Sequence, residues 1–254
     1  MALKTYYLDK FFEDRNDSLK SAEHIVPLVL QLVQPKSVVD VGCATGEFLS
    51  IFKKHGVKNI LGIDGPWVNK YKLRIPKKCF LSTDLEKPFR LNRTFDLVLS
   101  LEVGEHLCER SARTFVNTLT NLGPLVLFSA AIPFQGGTHH VNEQWPTYWV
   151  NLFKDNEYVP FDCIRRKIWN NDDVSFCYAQ NIIFFVKKDY LKSHIQLQKY
   201  LKQYNEPFLP LVHPKMFLFK AKRYDMIIRI IPYPIKWVII KIKLDYLLIS
   251  CMHL

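Results

Sequence analysis

The sequence lacks several features that would narrow its class at once. Its six cysteines (Cys43, Cys79, Cys108, Cys163, Cys177 and Cys251) lie far apart and form no C-x-x-C pair. That argues against a zinc knuckle or a compact disulfide framework and for reduced thiols in a cytoplasm. The opening residues Met1 to Tyr7 contain no apolar core followed by a small-residue cleavage site, so no export signal is expected. No apolar run approaches the ~18 residues of a spanning helix. The richest candidate, near the end, is cut by Pro232, Pro234, Lys236, Lys241 and Lys243. Nine glycines and fourteen prolines exclude a collagen-like or low-complexity chain, and no internal repeat is evident.

What is present suffices for a large core, since 48% of the 254 residues are hydrophobic and 14% aromatic. The formal charge is +11, but it is unevenly spread. Residues 187–254 carry 13 basic and 4 acidic side chains, which leaves 22 basic against 20 acidic in residues 1–186. The excess therefore belongs to a C-terminal extension, and nucleic acid is the weaker expectation for a partner, because a nucleic-acid enzyme more often carries the charge on its catalytic part.

Residues 1–186 alternate short apolar runs with helical periodicity. Apolar positions from Leu19 to Val33 predict a leading helix that starts near Asp17 or Ser18. Ser37–Val41 predicts a strand, Glu47–Lys54 a helix stopped by Gly56, and Asn59–Ile63 and Cys79–Ser82 the next two strands. Phe95–Ser100 and Leu125–Ser129 follow as strands, with a helix over Glu109–Leu122 between them. A helix near Pro146–Asp155 and two closing strands, about Cys163–Trp169 and Ala179–Val186, complete the pattern. The expectation is an α/β fold with a mainly parallel sheet covered on both faces by helices.

Ligands of such sheets sit at the carboxyl ends of the strands. Ionisable residues gather there: Asp40, Asp64, Asp84, the group Glu102, Glu105 and His106, and then His139 and His140. The turn Gly42-Cys43-Ala44-Thr45-Gly46 puts small residues where the backbone must approach a ligand, although it does not match the G-x-G-x-x-G fingerprint. Asp64, followed by Gly65, lies where a carboxylate can accept both hydroxyl protons of a ribose, and Asp84 could take an adenine amino group. No phosphate cradle accompanies them. A nucleoside bearing an amino-acid tail fits this set best.

On these residues the sequence resembles the class I S-adenosylmethionine-dependent methyltransferases. The resemblance is carried by Val39 to Gly46, Gly62-Ile63-Asp64, Ser82 to Leu85 and Phe95 to Glu102, and spans roughly residues 17–186. It implies a Rossmann-like sheet of seven strands, the last antiparallel, with S-adenosyl-L-methionine across the first three strand ends. It places Asp40, Gly42, Cys43, Ala44, Gly46, Asp64, Gly65, Asp84, Leu85 and Leu101 at the donor, with Leu85 packing on the base. Where relatives usually have glycine this chain has Ala44, a mild departure in size.

Methyl transfer to a hydroxyl needs a base beyond the methyl group, and the fourth and fifth strand ends face that position. His140 is the preferred base, with His106 next and Glu105 beside them. The E-x-x-E-H segment resembles two groups, quinone-biosynthesis O-methyltransferases and small-RNA 2′-O-methyltransferases in which two Glu and two His bind a divalent ion. The second resemblance implies Glu102, Glu105, His106 and His140 as metal ligands. The loop from Pro133 to Trp149 resembles methyltransferases of surface-polysaccharide and glycan modification, with His139, Asn142, Gln144 and Trp145 offered to the acceptor. Trp149 and Leu152 fit a helix core equally well.

Beyond Val186 the alternation stops. Tyr190–Tyr204 reads as helical, and Tyr224–Leu254 interleaves Ile, Leu, Trp and Tyr with basic residues, a composition suited either to an anionic membrane surface or to a packing layer. Ile240–Tyr246 alternates like a strand. The expectations are thus a methyltransferase domain (1–186) and a basic aromatic extension (187–254). The expected reaction is O-methylation of a sugar or other small hydroxylated acceptor, in the cytoplasm or at the inner membrane face. The alternatives are a metal-dependent RNA 2′-O-methyltransferase and a non-catalytic donor-binding scaffold.

Overall fold

The computed structural model describes residues 16–204 and 210–230; the Ile240–Tyr246 segment, Cys251 and most of the Tyr224–Leu254 stretch lie outside them. The chain separates into two compact units, 1–211 and 212–254. In the first, helix α1 (Asn16–Leu32) leads into β1 (Ser37–Val41), α2 (Glu47–Lys54), β2 (Asn59–Asp64) and β3 (Phe80–Ser82). Then come β4 (Leu97–Leu101), α3 (Glu109–Leu122), β5 (Leu125–Ser129), α4 (Pro146–Lys154) and β6 (Tyr158–Phe161). Two short helices, α5 (Arg165–Ile168) and α6 (Phe176–Asn181), precede β7 (Ile183–Lys187), and α7 (Lys188–Ser193) and α8 (Ile195–Lys202) follow it.

The seven strands form one sheet in the order β3-β2-β1-β4-β5-β7-β6. β7 is antiparallel to both its neighbours, and all other pairs are parallel. Successive residues of each central strand enter opposite apolar layers. Leu97, Leu99, Leu125, Leu127, Phe184 and Val186 face the layer built with α1 and α2. Val98, Val126, Phe128, Ile183 and Phe185 face the layer built with α3 and α4. Burial on both faces is why these strands read as continuous hydrophobic runs. At the base of β1 and β4, the Asp96 carboxylate accepts the Lys36 and Ser37 amides at 2.7 and 3.0 Å, while the Asp96 amide donates to the Ser37 hydroxyl.

The last strands depart from expectation. The sixth is Tyr158–Phe161, not Cys163–Trp169, and Ala179–Asn181 closes helix α6 rather than opening β7. Pro160 weakens the local strand signal, yet β6 lies at the sheet edge, where a proline leaves no central ladder bond unmade. The buried residues Cys163, Ile164 and Ile168 then come from a loop and a helical turn packed under the sheet. The helix expected over Tyr190–Tyr204 breaks at His194 into α7 and α8.

The second unit is described over one helix, α9 (Pro214–Ile230), on which Phe217, Leu218, Phe219 and Tyr224 are exposed. No helix among the described residues is long and apolar enough to cross a membrane.

Candidate active site

The donor side is built at the ends of β1, β2 and β3. Gly42 and Gly46 both have φ of 89°, in the left-handed region that favours glycine. A Cβ on Gly42 would run into the Val103 side chain, and one on Gly46 would press on Ile75. Ala44 between them also has a positive φ, 48°. Its departure from glycine is therefore one of backbone strain as well as size, about 1–2 kcal/mol for an L-residue. Asp64 anchors this loop: its buried carboxylate accepts the Ala44 amide at 2.7 Å and the Gly65 amide at 2.6 Å. The Trp67 ring lies over Gly65, where a Cβ would overlap it.

Other expected donor residues are placed less openly. Asp40 and Cys43 are buried, as are Leu85 in the layer with α3 and Leu101 in the layer with α2. Asp84 is half-exposed, and its carboxylate accepts the Glu86 amide at 3.1 Å and pairs with Lys87 at 3.2 Å. Below the glycine loop, the Thr45 hydroxyl donates to the buried Glu47 carboxylate, which Arg74 approaches at 3.6 Å.

The acceptor side gathers at the ends of β4 and β5. A 3-10 turn, Gly104–His106, carries Glu105 and His106, and Trp149 packs directly on Gly104. The loop after β5 folds back onto this turn, because the Val141 and Asn142 amides both donate to the Glu105 carbonyl, at 2.8 and 3.0 Å. The His106 and His140 rings meet edge to face with centroids 4.8 Å apart. His140 Nδ1 lies 2.8 Å from Glu143 Oε1. Against a carboxylate acceptor, a neutral imidazole donates from Nδ1 and carries its lone pair on Nε2. Gly137 lies on the Nε2 edge, where any side chain would collide with the ring.

Two buried acids stand behind the histidines. Glu105 is fully buried, and neither carboxyl oxygen has a hydrogen-bond partner. Burial first, and then the neighbouring Glu102 charge, hold its pKa well above the ordinary carboxylate range. Glu102, at a left-handed φ of 55°, is held by amides. Gln135 Nε2 donates to it at 3.0 Å and Asn181 Nδ2 at 3.1 and 3.3 Å. Gln180 completes the cage by donating to Gln135 and Asn181 at 3.0 Å. Enclosure raises the Glu102 pKa, and the amide donors and His140 oppose the rise.

Of the four expected metal ligands, Glu105, His106 and His140 bring donor atoms within 4.8 Å of one another. Glu102 does not join them, because its oxygens are occupied by the amide cage. Among the expected acceptor residues, His139 and Trp145 are exposed and Gln144 is half-buried. Asn142 is buried with an unpaired Nδ2, its Oδ1 accepting from Gln144 at 3.0 Å. Trp149 belongs to the core.

Sequence reasoning missed Gln135, Gln180, Asn181 and Glu143. Glu143 had a signal, lying one helical step beyond His140. Asn181 had none, being 79 residues from Glu102.

An open, mainly parallel sheet with a glycine turn and a ribose-type acid at its carboxyl edge defines a nucleoside-binding enzyme of Rossmann-like class. The chain belongs to the methyltransferase domain family, whose model matches residues 13–164, more than half of its length. It is an S-adenosylmethionine-dependent methyltransferase of class I fold. It is similar to the methyltransferase domain of bacterial CtHen1 (20% identity, TM-score 0.50, covering 66% of this chain and 97% of that one). It is also similar to magnesium protoporphyrin IX methyltransferase from Synechocystis PCC 6803 with bound SAH (16%, 0.50, 68% and 85%). A third similar structure is the sugar N-methyltransferase KedS8 from Streptoalloteichus sp ATCC 53650 (13%, 0.55, 72% and 92%). No curated protein sequence matches the chain.

Proposed function

We propose that the protein transfers the methyl group of S-adenosylmethionine to the hydroxyl of a sugar or other small acceptor, with His140 as general base. The observation that carries this reading is the His140–Glu143 contact of 2.8 Å at the end of β5. It fixes the imidazole and leaves Nε2 as the proton acceptor. The acceptor oxygen attacks the methyl carbon, the carbon–sulfur bond breaks with its electrons going to sulfur, and the hydroxyl proton passes to Nε2. Asp64 is the ribose ligand in this reading, with Asp40, Gly42, Cys43, Ala44, Gly46, Gly65, Asp84, Leu85 and Leu101 around the donor.

His140→Ala is expected to lower turnover by about 10²–10⁴-fold while S-adenosylhomocysteine affinity, measured by calorimetry, stays within about two-fold. Equal loss of both would remove His140 from the role of base. Calorimetry also tests the non-catalytic scaffold: absence of binding, or binding unaffected by Asp64→Ala, would overturn the enzyme reading.

A second reading rests on the convergence of Glu105, His106 and His140. Two imidazoles and a buried carboxylate without partners suit a divalent ion, and these three residues would hold it. Such an ion supplies Lewis-acid polarisation of the acceptor oxygen. Stripping with chelator and restoring Mg²⁺, Mn²⁺ or Zn²⁺ separates the readings, since unchanged turnover in chelator would sink the metal.

For the extension, the exposed Phe217, Leu218 and Phe219 of α9, with Lys215, Lys220, Lys222 and Arg223 nearby, support association with an anionic membrane surface.

A further inference from the structure

The loop after β3 binds its own carboxylate before it binds anything else. Asp84 is half-exposed, and its carboxylate accepts the Glu86 amide at 3.1 Å and pairs with Lys87 at 3.2 Å. Both contacts stay within the loop, so they hold Asp84 to its neighbours rather than to the domain. The tie to the rest of the site comes two residues later. Glu86 Oε1 accepts the Cys108 amide at 2.8 Å, across 22 residues of sequence.

Each end of that contact has a physical reason. Cys108 is the N-cap of α3, but its side chain caps no amide. A carboxylate brought in from another loop suits the positive end of a 14-residue helix. The Cys108 amide, and after it the Cys108 thiol, hold the Glu86 carboxyl below the ordinary carboxylate range. The segment that presents the amide is itself anchored. Val103 stands over Gly42, Trp149 packs on Gly104, and the Glu105 carbonyl accepts the Val141 and Asn142 amides. Glu86 therefore fastens the loop that carries Asp84 to a fixed part of the site.

Within the donor reading above, on which it rests, we infer that Glu86 is a positioning residue for recognition of the donor's base. Acting through the Cys108 amide, it holds the Asp84 carboxylate where the adenine amino group is met. Without it the loop keeps the buried Leu85 and the Thr83 amide, which donates to the Asp64 carbonyl at 2.8 Å. The domain should then still fold while Asp84 loses its aim. The amide can also be removed on its own. Cys108 has a φ of −57°, which suits proline, and Leu107 before it is extended (φ −93°, ψ 145°), as proline requires.

The test titrates the full chain by calorimetry with S-adenosylhomocysteine and with S-inosylhomocysteine, in which a carbonyl oxygen replaces the amino group. Wild type should prefer the adenosyl compound, and Asp84→Ala should abolish the preference. Glu86→Ala and Cys108→Pro should each weaken S-adenosylhomocysteine about three- to thirty-fold and leave S-inosylhomocysteine within about two-fold. The double variant should bind no worse than either single one, because both remove the same contact. Glu86→Gln keeps the accepting oxygen and Cys108→Ala keeps the amide, so both should bind as wild type does. Unchanged binding in Glu86→Ala overturns the proposal. So does equal loss of both compounds, the mark of a residue that only supports the fold, and so do additive losses in the double variant or a Glu86→Gln that behaves as Glu86→Ala. A preference lost in Asp84→Ala but kept in Glu86→Ala overturns it and leaves the donor reading standing. A preference absent from wild type, or unmoved by Asp84→Ala, overturns both.

Discussion

Replacing Glu105 by Gln should make the protein more stable at neutral and alkaline pH, and the gain should grow with pH. Glu105 is fully buried without a hydrogen-bond partner and sits beside Glu102, so its carboxyl holds its proton well above the 4.5 of an exposed glutamate. The native state then binds a proton that the unfolded chain releases near pH 4.5. Stability from this group is complete below that pH, and it is lost at about 1.4 kcal/mol per pH unit until the folded pKa is passed. Glu102 is raised by the same enclosure and interacts with Glu105, so the difference curve reports the pair: the loss of Glu105 together with the relief it gives Glu102, both of the same sign. Urea unfolding of both proteins from pH 4.5 to 8.5, in chelator to keep divalent ions away, measures that curve by tryptophan fluorescence. A flat difference, or one favouring wild type as pH rises, would show that Glu105 is ionised and paired in the native state. If the cluster takes a divalent ion, adding it should flatten the wild-type curve and leave the variant unchanged.

Gly42→Ala should cost about 3 kcal/mol by thermal or urea unfolding. The left-handed φ of 89° contributes about 1–2 kcal/mol, and the overlap with Val103 contributes the rest. Asn181→Leu strips one of the two amide donors from Glu102, leaving Gln135, and removes the Asn181 donor from the Gln135 oxygen. At about 1.5–3 kcal/mol for a bond to a charged group, stability should fall by about 3 kcal/mol, and turnover should fall while S-adenosylhomocysteine affinity holds. For the extension, the full chain should float with anionic vesicles and not neutral ones, and a version ending near Tyr190 should float with neither. Equal partition of the two proteins would leave the extension a packing element.

Most of the sheet was legible because its strands are short, buried on both faces and closed by glycine or acid. β1 and β5 fall on the expected residues, as do the helices Glu47–Lys54 and Glu109–Leu122. The sheet's far edge was not legible, and the reason is local. Pro160 hides β6, and the apolar residues after it serve a helical turn. The buried Arg165 holds that region together, donating to both Asp162 oxygens at 2.9 and 2.6 Å and to the Gln180 carbonyl at 3.0 Å. A charged side chain doing core work has no periodicity by which to be found.

The site divides along the same line. Residue type at a strand end was enough to find Asp64, Glu105, His106 and His140, because a charged group that closes an apolar strand has few other reasons to be there. It was not enough to separate Glu102 from Glu105, two acids on one short segment with opposite surroundings. Glu102 is satisfied by amides from residues 33 and 79 positions away, whereas Glu105 is left with none. That difference decides their chemistry. The satisfied acid is held in place by its amide donors, and the unsatisfied one is available to a proton or a cation. The charge of +11 misleads for a related reason, since it sums over a chain in which residues 114–153, from which His140 comes, contain no Lys or Arg. The chemistry of an acceptor is read from the groups within reach of the reacting atom, and among the described residues Glu102, Glu105, Glu143 and two imidazoles gather there.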